Sequence, residues 1–125
     1  MPLVRDGETR CVRTPNAVMR TLASPTLGGA ASALWRVEMS AGQAGPEHRF
    51  DAEQVWTILR GRAMVQLDGE ALVLEVGDTL IVPPDLPRRF RAEGPEGFAA
   101  MVSAPAGARA SMLDGTDRGV PEWIA

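Results

Sequence analysis

Residues 55–92, VWTILRGRAMVQLDGEALVLEVGDTLIVPPDLPRRFRA, alternate between short apolar runs and turn residues. The apolar runs are four to six residues long, a length typical of strands rather than helices. Asp68-Gly69 separates two of these runs as a tight hairpin signal, and Gly77-Asp78 marks another reversal. The stretch therefore predicts short strands joined by tight turns.

The same pattern continues on both sides of this stretch. No segment longer than about ten residues has a convincing helical period, although the tail could hold one short helical turn. Evenly spaced strands favour a sandwich or closed barrel. We predict one all-β domain over residues 1–125, with a barrel core at about 33–103, an N-terminal strand at 17–23 and a C-terminal tail at 104–125. The predicted strands are 18–22, 33–39, 55–59, 63–67, 71–76, 79–82, 88–92 and 98–103.

Composition fits a folded domain. The chain has 125 residues, of which 45% are hydrophobic and 23% charged, so it has enough apolar surface to bury and is not disordered. The longest apolar run is 98–102, far shorter than a membrane helix needs. Residues 1–10 lack the apolar core of a signal peptide. We expect a cytoplasmic protein that does not bind membranes.

Several residue types are scarce, and this excludes whole classes of chemistry. All 13 basic residues are arginine and the net charge is −3, so we expect no nucleic-acid partner and no Schiff-base chemistry. Cys11 is the only cysteine and His48 the only histidine. A cysteine cluster or a three-histidine metal site cannot be built within one chain.

Alternation along the predicted strands assigns side chains to faces. The sets predicted to share a face are Trp35, Val37 and Met39; Gln54, Trp56 and Ile58; and Arg88 and Phe90.

Two stretches together resemble the motifs of the cupin family of small β-barrels. Residues 42–61, GQAGPEHRFDAEQVWTILRG, match the glycines of the first cupin motif at Gly42 and Gly61 and its first histidine at His48. Residues 77–92, GDTLIVPPDLPRRFRA, match the second motif at Gly77 and Pro83. The resemblance implies a cupin-type jelly-roll, also called a double-stranded β-helix, with an internal cavity, and often a homodimer.

The departures from these motifs affect the metal site that many cupins have. Three histidines and a glutamate usually bind the metal, and here those positions hold His48, Phe50, Gln54 and Arg88. Phenylalanine has no lone pair, arginine stays cationic, and a neutral amide is a weak ligand. We therefore expect no metal and no other cofactor. A route through Glu47 or Glu53 with His48 would require a bulge.

The substituted positions suggest a different polar site in an apolar cavity. His48 could act as a general acid or base, Arg88 could stabilise an anion or oxyanion, and Gln54 could orient a substrate. Alternatively, His48 has no catalytic role and is only hydrogen-bonded in the core or at its mouth, and Arg88 extends to the barrel mouth and remains solvated. The residues predicted to form the ligand-binding walls are Trp35, Met39, Phe50, Trp56, Ile58, Met64, Phe90 and Met101.

Two functions remain open at this point. The first is a metal-independent isomerase, cyclase, dehydratase or lyase, a role that the cupin resemblance permits in polyketide and other secondary metabolism. The second is a non-catalytic protein that binds or senses a hydrophobic anionic metabolite. Either function requires a small-molecule partner that is partly apolar and anionic. Family habit also predicts a homodimer, formed through the N-terminal strand or the tail around Trp123.

Overall fold

The computed structural model describes residues 2–125, which form ten β-strands and one single-turn 3-10 helix at Asp6–Glu8. The prediction of an all-β fold is confirmed. Several predicted strands are parts of longer ones, because the glycines between them do not end the strand. The predicted strands 55–59 and 63–67 both lie in one strand, Gln54–Leu67, and 88–92 and 98–103 both lie in another, Arg88–Pro105. The strands are β1 Arg10–Arg13, β2 Val18–Ala23, β3 Ser32–Met39, β4 His48–Phe50, β5 Gln54–Leu67, β6 Glu70–Leu74, β7 Thr79–Val82, β8 Arg88–Pro105, β9 Ala110–Met112 and β10 Asp117–Gly119.

Strand β8 is the centre of the sheet. The order along the main path is β1-β2-β3-β8-β4-β9-β10, and β5 pairs with β6, β7 and β8. All of these strand pairings are antiparallel. Because β8 pairs with β3, β4 and β5, it brings residues from the first and second halves of the chain to one interior face.

Two glycines allow β5 to bend against β8. Gly61 has φ +71° and Gly97 has φ +67°, a conformation that costs a residue with a Cβ. A Cβ on Gly61 would overlap the carbonyl oxygen of Gly97, and a Cβ on Gly97 would overlap that of Met39. The register of β5 against β8 shifts on both sides of this point. Gly61, a glycine of the first motif, is therefore required for two reasons: the backbone of β8 passes too close to it for a Cβ, and its φ is positive.

The tail after β8 packs onto its own barrel. Ile124 is fully buried, and the Trp123 carbonyl accepts a 2.8 Å hydrogen bond from the hydroxyl of Thr21. The Ala125 carbonyl accepts hydrogen bonds from Ser24, Thr26 and Arg10. These contacts hold the tail across β2, so it is a wall of this chain's own barrel.

Some sequence predictions require correction. The short strand β10 in the tail was not predicted; after it comes a single turn, in which the Pro121 carbonyl accepts from the N–H groups of Ile124 and Ala125. The short strands β1, β4, β9 and β10 were not predicted, because their few residues lack an apolar run. Within residues 2–125, no helix is long and apolar enough to cross a membrane.

Candidate functional site

A cavity of about 470 Å³ opens inside the barrel, a size common for small-molecule sites. All three tryptophans of the chain reach it. Apolar groups dominate its walls, and the polar side chains are few and come from separate elements. The lining residues are Thr14, Asn16, Ala17, Met19, Trp35, Val37, Met39, Gly45, Pro46, His48, Phe50, Gln54, Trp56, Phe90, Ala110, Met112, Arg118, Pro121 and Trp123.

An aromatic pair forms one rigid wall of the cavity. Trp56 on β5 and Phe90 on β8 are stacked with ring centroids 3.8 Å apart and planes 13° from parallel. Both are buried, and alternation in both strands directs them inward. Such a pair offers a flat apolar surface to a planar ligand.

His48 opens β4 and presents its imidazole to the cavity. Its Nδ1 lies 2.7 Å from the Pro46 carbonyl oxygen. Because a carbonyl only accepts, Nδ1 carries the proton, and Nε2 of the neutral ring keeps its lone pair. Burial is the largest cause and lowers the pKa of His48 below its usual 6.5; the hydrogen bond to the Pro46 carbonyl raises that pKa in part, and the positive charge of Arg88 lowers it by a smaller amount. The ring is therefore a neutral base at neutral pH.

Gln54 begins β5 and is 1% exposed. Its Oε1 accepts from the indole nitrogen of Trp56 at 3.1 Å and from the guanidinium of Arg88 at 3.4 Å. The indole N–H and the guanidinium can only donate, so the amide atom that faces them must be the oxygen. The amide nitrogen has no acceptor among residues 2–125, and the side chain lines the cavity. Its N–H groups can therefore donate to a ligand.

Arg88 is buried at 1% exposure but does not line the cavity. Its guanidinium donates to the carbonyls of Leu86 at 2.8 Å and Pro83 at 3.1 Å, and lies over the Phe50 ring at 5.6 Å. Burial lowers the pKa of Arg88 to about 10, so it remains cationic at neutral pH. Arg88 is buried, as its motif position led us to expect, but it lies outside the cavity lining that a bound anion would contact. Two carbonyls of the preceding loop and Gln54 Oε1 take three of its five N–H groups.

The second motif of the cupin resemblance has a glycine two residues after the proline that matches Pro83, and the loop turns at the residue in that position. Asp85 stands at this position and has φ +62°, a left-handed conformation that aspartate tolerates better than most residues. Its backbone N–H donates to the Phe50 carbonyl at 2.7 Å. The departure from glycine therefore leaves the turn intact, and the turn aims the Pro83 and Leu86 carbonyls at Arg88.

The structure brings most of the predicted wall together. Trp35, Met39, Phe50, Trp56 and Phe90 line the cavity along with His48 and Gln54. Ile58 is buried on the same face of β5 but lies outside the cavity lining.

The placement of Met64 and Met101 is corrected. Met64 stands between buried Ala63 and Val65, and Met101 between Ala100 and Val102. Alternation therefore directs both methionines away from the interior.

Sequence reasoning missed the part of the cavity formed by the two ends of the chain. Thr14 and Asn16 come from the loop before β2, and Arg118 and Trp123 come from β10 and the tail. Among these residues, only Trp123 could be recognised from the sequence, as an apolar residue of the tail expected to dock. Thr14, Asn16 and Arg118 reach the cavity because segments far apart in the chain pack together, and no local sequence pattern predicts such packing.

The cupin resemblance is confirmed by comparison with known proteins. Residues 35–104 match the cupin domain family over more than half of the chain. The chain belongs to the cupin family. This cupin is 35% identical over 80 residues to a protein named polyketide synthase CurC from Streptomyces cyaneus, covering 62% of this chain and 52% of that protein. It thus spans about half the length of this relative.

Solved structures share the fold of this cupin. An RmlC-like cupin from Shewanella frigidimarina has a TM-score of 0.70 and 21% identity over 83% of this chain and 90% of that one. Salicylate 1,2-dioxygenase from Pseudoaminobacter salicylatoxidans, with gentisate adducts, has a TM-score of 0.71 and 21% identity over 83% of this chain and 31% of that one. At these identities the likeness concerns the fold alone.

The donor groups of this cupin do not fit the metal that the resemblance implies. Within residues 2–125, no three His, Cys, Asp or Glu side chains are grouped as a metal site. Gln54 Oε1 already accepts from two donors, one of them the cationic Arg88. A divalent ion there would meet occupied lone pairs and a fixed positive charge.

Proposed function

We propose that this cupin is a metal-independent enzyme that moves a proton on a small, partly apolar carbonyl compound bound in the cavity. The observation that carries the proposal is the Pro46–His48 hydrogen bond, which leaves the Nε2 lone pair of a neutral imidazole available. Isomerisation, cyclisation, dehydration and lyase reactions can all begin with removal of a proton next to a carbonyl.

The proposed step uses two groups that touch the substrate. His48 Nε2 takes a proton from the carbon next to the carbonyl; the electron pair of that C–H bond forms a C=C bond, and the π pair of the C=O bond moves to the carbonyl oxygen. An N–H of Gln54 donates to the developing enolate oxygen and stabilises its charge. The imidazolium then returns the proton to the same or a conjugated carbon, or to a leaving group. No oxidant or reductant is needed.

Arg88 acts in this proposal as a positioning residue. Its bond to Gln54 Oε1 holds the amide with the N–H groups free and polarises them toward an oxyanion. Its strand position pairs with His48 between β4 and β8, and its charge helps to keep the imidazole neutral. One buried cation thereby prepares both the base and the oxyanion donor.

The CurC relative supports a role in biosynthesis. It carries the name of a polyketide synthase, and polyketide chains present carbonyl groups flanked by acidic C–H bonds. The stacked Trp56 and Phe90 give the cavity a flat apolar wall, which suits a carbonyl compound that is partly aromatic. We propose secondary metabolism as the setting on this basis.

The test is hydrogen–deuterium exchange at C3 of 4-phenyl-2-oxobutanoate, followed by proton NMR in D2O. This probe combines an aromatic ring, a ketone with adjacent C–H bonds and a carboxylate. We expect exchange faster than with free imidazole at the same concentration, and the same rate after dialysis against a chelator. Loss of exchange after chelation would contradict a metal-free mechanism. Binding of the probe without exchange would favour the non-catalytic binding function instead.

A further inference from the structure

We propose that Arg118, at the mouth of the cavity, binds the anionic end of the substrate and makes this cupin specific for small aromatic or alkyl carboxylates. The inference rests on the proposed use of the cavity and deepens it by naming the substrate class. It assigns anion recognition to the tail of the chain rather than to Arg88.

A β-bulge places Arg118 at the cavity. Asp117 pairs with Ser111 and Gly119 pairs with Ala110, so β10 advances by two residues where β9 advances by one. Arg118 is the extra residue, and bulges redirect side chains in this way. Its side chain joins the lining although its neighbours on β10 do not.

The Arg118 charge is available to a ligand. Among residues 2–125, no carboxylate lies within 4.0 Å of its guanidinium nitrogens, whereas the carboxylate of the neighbouring Asp117 is bonded to Arg109 at 2.7 Å. Asp114, which attracts Arg118 through its charge, accepts a hydrogen bond from the Thr116 N–H. The nearby acidic groups are therefore engaged, and Arg118 is exposed.

The cation that the sequence favoured is less well placed for this role. Arg88 uses three of its five N–H groups on the Leu86 and Pro83 carbonyls and on Gln54, and it does not line the cavity. Arg118 is the one arginine that lines the cavity among residues 2–125. A guanidinium binds a carboxylate through two parallel hydrogen bonds.

The positions of Arg118 and His48 suit one small molecule. Strands β10, β9 and β4 are neighbours, so the two backbones are roughly 10 Å apart at a strand spacing of about 4.8 Å. His48 pairs with Met112 on β9, which also lines the cavity. A carboxylate at Arg118 thus leaves the adjacent carbons of the ligand within reach of His48 and the ring against the aromatic wall.

The test compares two probes of nearly equal shape, 4-phenylbutanoate and the neutral 4-phenylbutanamide. Quenching of tryptophan fluorescence reports binding, because all three tryptophans line the cavity. We expect wild type to bind the carboxylate about tenfold more tightly, and Arg118→Gln to remove that preference while leaving amide binding within about twofold. Arg62→Gln changes the net charge equally at an exposed position outside this cavity and should keep the preference.

Two results would overturn the proposal. One is a wild-type protein that does not prefer the carboxylate. The other is an Arg118→Gln variant that keeps the preference or weakens both probes equally, which would make Arg118 only part of the wall. Binding is measured without turnover, so a carboxylate preference together with absent deuterium exchange would overturn the proton chemistry and leave anion recognition standing.

Discussion

His48→Gln is expected to lower enzyme-catalysed deuterium exchange into 4-phenyl-2-oxobutanoate at least about 100-fold, the lower end of what a general base contributes. Glutamine has similar bulk and can still donate to the Pro46 carbonyl, which His48 Nδ1 contacts at 2.7 Å. It has no lone pair that accepts a proton near neutral pH. The variant therefore removes the base with little change in packing.

Two controls separate chemistry from damage to β4. Arg49→Gln changes the next residue of the same strand, which does not line the cavity, and should exchange at the wild-type rate. His48→Ala leaves space for a ring, so added imidazole should restore part of the exchange. Equal rates in wild type and His48→Gln would contradict the role of His48.

The exchange rate should also depend on pH in a defined direction. The active base is the neutral imidazole, which is present above its pKa. Burial is the main cause that lowers that pKa below 6.5, with Arg88 adding to it, so the midpoint of the fall in rate should lie below pH 6.5. A midpoint at or above pH 6.5 would contradict the lowered pKa.

The second large effect concerns stability. Gly61→Ala is expected to destabilise the fold by about 3 kcal/mol, which combines about 1 kcal/mol of left-handed strain with overpacking against the Gly97 carbonyl. For a domain of this size, the melting temperature should fall by about 10 °C. Thermal unfolding followed by circular dichroism measures the shift.

Gly69→Ala is the matched control. Gly69 has φ +83°, and a Cβ there would meet nothing within 4 Å. The variant therefore carries the backbone strain without the overlap, and we expect a loss of about 1 kcal/mol. Equal shifts for the two variants would contradict the close approach of β5 and β8 at Gly61.

Alternation predicted the inner face of each strand well where the strand is regular. It placed Gln54 and Trp56 on one face and Arg88 and Phe90 on another, and all four are buried. It fails across the bend in β5, because the register shifts on both sides of Gly61. Counting by twos from Gln54 would turn Met64 inward, whereas Ala63 and Val65 take that side.

The polar chemistry of the cavity was only partly predictable. The motif position of His48 pointed to the cavity, but its tautomer depends on where the Pro46 carbonyl lies. The inward direction of Arg88 was expected from its motif position, yet the hydrogen bonds that it donates to the Leu86 and Pro83 carbonyls depend on the turn at Asp85. Arg118 reaches the cavity through a bulge in a three-residue strand, for which the sequence carries no periodic signal.

The most direct test of the account is an NMR titration of the His48 imidazole in tag-free, nitrogen-15-labelled protein. His48 is the only histidine, so one pair of ring nitrogens is observed and no assignment is needed. We predict a neutral ring protonated at Nδ1, with Nε2 unprotonated, and a pKa below 6.5. A neutral ring protonated at Nε2 would contradict the role of His48 as a base, because Nε2 would then have no lone pair for a substrate proton, and a pKa at or above 6.5 would contradict the burial of the ring.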